Sequence, residues 1–157
     1  MPENGGVLCL HLGNKIGWSS GSSDAGVWQL PKTDDHGCLG AALIDAVADM
    51  TRVLRPSAIL LSGPPTEVET TARPDVAVLH IGLLMCVRVF AFRRKIRMEV
   101  PNVEVVRETM LGRREFGRAA LKDAVMGFAR RRGLDKIDLD AGHALVLSAY
   151  VQQRGIG

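Results

Sequence analysis

The sequence predicts an α/β fold, in which helices flank a mixed five-stranded sheet of three antiparallel strands followed by two parallel strands. Short apolar runs alternate with segments of helical periodicity in the order three strands, helix, strand, helix, strand, helices. The run AILL at residues 58–61, set off by Pro56 and Gly63, is typical of a buried parallel strand. The length suits a single domain covering residues 1–157.

The first part of the chain is predicted to form an antiparallel meander covered by a helix. The apolar run VLCLHL at residues 7–12 is followed by the turn residues Gly13 and Asn14, and two further strands are expected at residues 16–19 and 26–30. After a loop at 31–37, apolar residues recur every three or four positions from 38 to 54. This spacing predicts a helix whose apolar stripe covers the sheet.

The longest apolar stretch of the chain begins at Val76 and ends at Phe92, interrupted by His80 and Arg88. We expect it to be helical, with Thr71 as the capping residue. A helix that is apolar on nearly all sides is either enclosed in the core or shared with a second copy, so the sequence predicts a homodimer through it. The stretch is short for a bilayer, and no membrane association is expected.

The remaining elements are predicted as a strand at 97–100 and helices at 103–111, 118–132 and 140–154, with a mobile-looking loop at 63–69. The N-terminus, MPENGG, lacks the basic and apolar segments of a signal peptide. Cys9, Cys38 and Cys86 are odd in number and widely spaced, as expected for reduced thiols. These features predict a cytoplasmic protein.

The basic residues are concentrated in the second half of the chain. Residues 1–72 contain four Lys or Arg against eight Asp or Glu, whereas residues 73–157 contain sixteen against nine. A basic surface of this kind suits a polyanion such as nucleic acid, although well-solvated helices give the same composition. Only 4% of residues are aromatic, so contacts to phosphates are favoured over stacking on bases.

Three segments resemble the sequence pattern of one nuclease family in order along the chain. The segments are HLGNKIGW at residues 11–18, VVRETMLGRREFGRAALKDAV at 105–125 and DAGHALVLSAY at 140–150. They are similar to the D-L-G-T-x-T-G-W, V-R-K-x-x-L-G-x-G…A-K-x-A-V and D-x-A-D-A-L-A-L pieces of RuvC-type Holliday-junction resolvases of the compact phage and bacterial type. The resemblance implies a ribonuclease-H-like fold.

In that family, a carboxylate on the first strand, a Glu at the end of the fourth strand and an acidic pair on the last helix hold two divalent metals. The corresponding positions here are His11, Ser62, Asp140 and His143, so three of the four acids are replaced. Two adjacent divalent ions would then repel one another with little compensation. We therefore expect no intact catalytic set and no Mg²⁺ cofactor, although some resolvases carry a His within the terminal pair.

Two metal alternatives remain open from the sequence. His11, Asp140 and His143 are a two-His, one-carboxylate set that suits Zn²⁺, Mn²⁺ or Fe²⁺. Cys9 and His11 could also share a zinc ion with the His-x-Cys pair at residues 36–38.

The basic residues of the family pattern survive better than its acids. The resemblance implies that the segment after the fifth strand faces the DNA backbone, through Arg107, Arg113, Arg114, Arg118 and Lys122. The basic residues of segment 93–97 either extend this surface or close the long helix favourably against its dipole.

The sequence therefore favours a pseudo-resolvase: a catalytically inactive, dimeric protein that binds duplex or branched DNA, in phage-like DNA processing or packaging. One alternative is a nuclease with the rearranged His/Asp metal site. The other is a protein–protein interaction module built on an inactive nuclease fold.

Overall fold

A five-stranded sheet forms the centre of the computed structural model, which describes residues 5–13, 15–21, 24–63 and 71–156. Its strands are β1 (Val7–Leu12), β2 (Ile16–Ser19), β3 (Ala25–Trp28), β4 (Ala58–Leu61) and β5 (Arg97–Glu99). Their order is β3-β2-β1-β4-β5. β1, β2 and β3 pair antiparallel, whereas β4 pairs parallel with both β1 and β5. The predicted fold class is confirmed.

Within the described residues, the helices that flank the sheet are α1 (His36–Leu54), α2 (Pro74–Arg94), α3 (Val103–Leu111), α4 (Arg118–Arg131) and α5 (Leu139–Arg154). One apolar cluster unites α1, α2 and one face of the sheet, and a second unites α3, α4, α5 and the other face. The core therefore has two layers, separated by the strands.

The alternation of β1 decides which side chains reach each layer. Leu8, Leu10 and Leu12 belong to the cluster under α1 and α2, whereas Cys9 belongs to the cluster under α5. Successive side chains of a strand point to opposite faces, so His11 lies on the same face as Cys9. This face carries the candidate site.

Capping explains where the structure departs from the predicted helix starts. The Asp35 side chain accepts hydrogen bonds from the N–H groups of Gly37 and Cys38, so α1 begins at His36 rather than at position 38. Thr71 does not cap the long helix: the N-cap of α2 is Arg73, which makes no side-chain capping bond. Pro74, in the first turn of α2, instead has a fixed φ that suits the start of a helix.

The other predicted boundaries agree with the structure within one or two residues. β3 comprises residues 25–28 rather than 26–30, and β5 ends at residue 99 rather than 100. The loop that we predicted at 63–69 lies outside the described residues, apart from Gly63.

The long apolar helix α2 has one buried face and one exposed face. Its inner face includes His80, Leu83, Val87 and Phe90, which are all buried. α2 has 21 residues and an 18-residue window with a mean hydropathy of 1.9, so it is long and apolar enough to cross a membrane by length and composition alone. The prediction that this stretch is short for a bilayer was wrong. Its inner face packs against α1 and the sheet.

Candidate functional site

The four positions expected to correspond to metal ligands lie together at one edge of the sheet. His11 is the penultimate residue of β1, and Ser62 directly follows the parallel neighbour β4. The backbone N–H of Ser62 donates to the carbonyl of Leu10 over 2.9 Å, which fixes the two strand ends side by side. Asp140 and His143 occupy the first turns of α5, which crosses β1 and β2.

Two imidazoles form the centre of this site. The His11 and His143 rings stack with their centroids 4.3 Å apart and their planes at 16°. His11 Nε2 lies 3.6 Å from Asp140 Oδ1, and the two side chains are only 21% and 19% exposed. That distance allows an ion pair when His11 is protonated, but it is too long for a hydrogen bond.

The start of α5 is held by a cap and by two close backbone approaches. The Asp138 side chain accepts from the Asp140 N–H over 3.0 Å and pairs with Lys15 Nζ at 2.5 Å. A Cβ at Gly17 would lie 1.9 Å from the carbonyl oxygen of Asp140. A Cβ at Gly13 would lie 2.3 Å from the side-chain Oδ1 of Asp140. The glycines of HLGNKIGW therefore allow α5 to reach the sheet.

Burial and neighbouring charges keep the His11 imidazole neutral. Burial lowers its pKa well below the ordinary value. The nearby imidazoles of His143 and His80 and the guanidinium of Arg107 lower this pKa further. At neutral pH, His11 therefore contributes no positive charge.

The single carboxylate of the site is also perturbed. Burial raises the pKa of Asp140, and the neighbouring Asp138 carboxylate raises it further. Lys15 opposes both effects. The site thus holds at most one negative charge at the four family positions.

These residues do not fit a pair of magnesium ions. Two adjacent Mg²⁺ ions require several carboxylate oxygens between them, whereas Asp140 is the one acid among the four positions. The set His11, Asp140 and His143 also suits a single transition metal poorly. An imidazole nitrogen binds a metal in the plane of its ring, and the planes of two stacked rings do not meet at a point where both nitrogens could bind one ion. Among the described residues, no group of three or more His, Cys, Asp or Glu is arranged to hold a metal.

The zinc set that the sequence left open is contradicted by the fold. Cys9 is fully buried in the cluster beneath α5. His36 and Cys38 are exposed at the start of α1, on the opposite side of the sheet. Cys9 and the His-x-Cys pair therefore do not converge.

The predicted basic residues fall into two groups. Arg107, on α3, lines a cavity together with His11, Ser62 and His143. The others are exposed on α4 and on the segment before it: Arg113, Arg114, Arg118 and Lys122. The four-residue spacing of Arg118 and Lys122 places both on one face of α4.

Some of these cations already have intramolecular partners. Arg114 Nε donates to Glu108 Oε2 over 2.7 Å, and the Arg113 guanidinium lies 4.6 Å from the centroid of the Phe116 ring. In segment 93–97, Arg97 pairs with Glu99 at 3.2 Å. Within the described part of the chain, Arg118 and Lys122 have no carboxylate at ion-pair distance.

Sequence reasoning missed one residue of the site and assigned another only to the DNA-facing segment. It assigned Arg107 to a surface, whereas the structure places this side chain at the cavity beside the imidazoles. It treated His80 as an interruption of an apolar helix, whereas His80 is buried close enough to lower the pKa of His11. A titratable side chain within an otherwise apolar helical face was the available signal.

The sheet order, the flanking helices and the convergence of β1, β4 and α5 match the fold of RuvC structures. The structure of RuvC from Thermus thermophilus matches with a TM-score of 0.65 and 15% identity, covering 95% of this chain and 96% of that chain. T. thermophilus RuvC in complex with a Holliday junction substrate matches with a TM-score of 0.62 and 15% identity, covering 95% of each chain. No protein-family model and no curated protein matches the sequence.

Proposed function

We propose that this protein is a catalytically inactive, RuvC-like DNA-binding protein that does not cut DNA. The observation that carries the proposal is the composition of the converged site. The fold brings His11, Ser62, Asp140 and His143 to one place, and only one of the four is an acid.

Electrostatics support the loss of cutting. Two divalent ions about 4 Å apart repel one another strongly, and several negative ligands must offset that repulsion. Asp140 supplies one charge, and burial raises its pKa.

DNA is the proposed ligand because of the fold and the basic surface. A RuvC of the same fold has been solved with a Holliday junction substrate. In the present chain, Arg113, Arg118 and Lys122 are exposed on and before α4. Lysines and arginines that neutralise phosphates give binding that is largely independent of sequence and falls steeply with salt.

The test measures binding and cutting separately. We expect a fluorescent four-way junction to bind in EDTA, with a log–log salt slope of about −0.9 for each phosphate contacted. We expect no strand cleavage with Mg²⁺ or Mn²⁺. The double variant Arg118→Gln, Lys122→Gln should weaken binding and make the slope shallower by about two units. Arg52→Gln, at an exposed site on α1, is the matched control and should bind as the wild type does.

Two outcomes would contradict the proposal. Metal-dependent incision that disappears in Asp140→Asn would show a working nuclease, including one that uses a single transition metal. Absence of any binding to duplex or junction DNA at low salt would favour a protein-interaction role for the fold.

We further propose that the protein acts as a homodimer through α2. Apolar side chains form an exposed stripe along its outer face at positions 78, 81, 85, 89 and 92, with Phe92 83% exposed. The three- and four-residue spacing of this stripe is that of a helix–helix seam. Pairing two copies would remove the stripe from water without disturbing the buried inner face.

A further inference from the structure

The ends of α1 and α2 lie side by side at the edge of the sheet opposite the converged site. α1 leads into β4, which begins at Ala58, and α2 leads into β5, which begins at Arg97. These two residues are partners in the parallel register, and neighbouring strands lie about 4.8 Å apart. His11 and Ser62 lie at the other ends of β1 and β4. The turns that follow α1 and α2 are therefore neighbours at the edge farthest from that site.

This edge is basic, and part of its charge is uncompensated within the described residues. Arg52 pairs with Asp49 on α1. Arg97 pairs with Glu99 over 3.2 Å. In the described part of the chain, the other exposed cations of this edge have no carboxylate at ion-pair distance: Arg55, Arg93, Arg94 and Lys95. Together these four residues form the basic end.

Two residues of the basic end have a backbone conformation that normally selects glycine. Arg55 has φ 47° and ψ 54°, and Lys95 has φ 56° and ψ 34°. In this left-handed region a Cβ crowds the following carbonyl oxygen, so helices that end there usually do so with Gly. α3 and α5 follow that rule with Gly112 and Gly155. Among the described residues, Arg55 and Lys95 are the non-glycine residues with positive φ.

Helix dipoles alone do not explain this arrangement. A cation near the C-terminus of a helix is favoured by the dipole, but only weakly when the cation is exposed. The same dipole acts at the ends of α3 and α5, where the capping residue is Gly. A polyanion that contacts the ends of both α1 and α2 explains why the cations lie together, because all four then contribute to binding one ligand.

We propose that the basic end is a second contact for the backbone of duplex DNA. This inference rests on the proposed DNA binding and adds a second duplex to it. A duplex carries one negative charge for about every 1.7 Å of its axis, so about 10 Å of duplex presents about six phosphates to the four cations. α1 and α2 cover one face of the sheet, and α4 covers the other. A duplex on the basic end therefore leaves Arg118 and Lys122 available to another duplex.

The first measurement counts duplexes. A fluorescent duplex of about 12 base pairs, slightly longer than one helical turn, is titrated at low salt into protein held well above the dissociation constant. The wild type should bind one duplex per chain more than the basic-end variant Arg55→Gly, Lys95→Gly. It should likewise bind one more than Arg118→Gln, Lys122→Gln. Combining all four substitutions should abolish binding.

The second measurement separates DNA binding from helix capping. Gly removes the charge and suits the left-handed conformation, so the basic-end variant should keep or raise its Tm while it loses the duplex. A lower Tm would assign the two cations to helix capping instead. The matched control Lys32→Gln, Arg73→Gln removes the same net charge at exposed positions that precede α1 and α2. It should bind as many duplexes as the wild type.

The remaining outcomes separate this inference from the proposed function. If the basic-end variant binds as many duplexes as the wild type, the inference is overturned and the proposed DNA binding stands. If Arg118→Gln, Lys122→Gln binds no duplex, the basic end does not bind DNA by itself, which also overturns it. If the basic-end variant instead loses binding to vesicles that contain phosphatidylserine, the ligand is a lipid surface rather than DNA. A wild-type protein that binds no DNA at all contradicts the proposed function itself.

Discussion

Placing acids at the converged positions should give the site affinity for Mg²⁺ at a cost in stability. The triple variant His11→Asp, Ser62→Glu, His143→Asp places carboxylates at all four converged positions. Because His11 Nε2 is 3.6 Å from Asp140 Oδ1, the new carboxylate at position 11 would lie about 4–5 Å from Asp140. At an effective dielectric constant of about 20, two like charges at that separation cost about 3–4 kcal/mol.

This cost predicts a measurable loss of stability in the absence of metal. For a chain of this size, 1 kcal/mol changes Tm by about 2–4 °C, so the variant in EDTA should melt about 6–16 °C below the wild type. Mg²⁺ at about one hundred times its dissociation constant should return about 2.7 kcal/mol.

The matched control carries neutral side chains of similar shape: His11→Asn, Ser62→Gln, His143→Asn. Differential scanning calorimetry of both variants with EDTA and with Mg²⁺ isolates the effect of charge. Only the acidic variant should gain Tm with Mg²⁺. If the two variants melt alike and neither responds to Mg²⁺, the three positions do not correspond to ligands of the family's metal site.

Three further predictions test the proposed dimer interface on α2, the packing of α5 against β2 and the protonation of His11. Ile81→Glu puts a charge in the exposed stripe of α2 and should give a monomer in sedimentation equilibrium; an unchanged dimer mass would exclude α2 as the interface. Gly17→Ala should lower the free energy of unfolding by more than about 2 kcal/mol, because its Cβ would lie 1.9 Å from the carbonyl oxygen of Asp140. Gly82→Ala, in open space on α2, should be neutral or stabilise by up to about 1 kcal/mol, and equal Tm losses in both would refute the contact. Because the pKa of His11 is lowered, the unfolded chain takes up a proton below about pH 6.5 that the folded chain refuses; stability should therefore fall by about 1 kcal/mol between pH 6.5 and 5, and a profile unchanged in His11→Asn would contradict this assignment.

The sequence predicted the fold where its periodicity was unambiguous. The apolar run at residues 7–12 predicts a buried strand, the three- and four-residue spacing of α1 predicts one buried helix face, and the structure has both. Helix starts were less predictable. Asp35 and Thr71 are both acceptable capping residues, but in the structure Asp35 caps α1 and Thr71 does not cap α2. In α2 the apolar residues surround the helix, so no pattern distinguishes the buried Leu83 from the exposed Ile81.

The site was predictable in its membership but not in its geometry. The family resemblance assigned His11 and His143 to one cluster, and the structure brings them into contact. The stacking of the two rings depends on the distance of α5 from β1, which no sequence pattern specifies. The entry of Arg107 into the cavity depends in the same way on how α3 packs against α5.

The geometry of the site and its charge have separate requirements, which is why this fold by itself does not distinguish cutting from binding. Gly17 is needed wherever the first turn of α5 lies against β2, whichever side chains α5 presents. The backbone of the site therefore persists when the acids are absent. What then enters the site depends on the sign of the local potential, since attraction and repulsion of an ion differ only in that sign. With one acid among the four converged positions, the site lacks the negative charge that a pair of divalent cations requires.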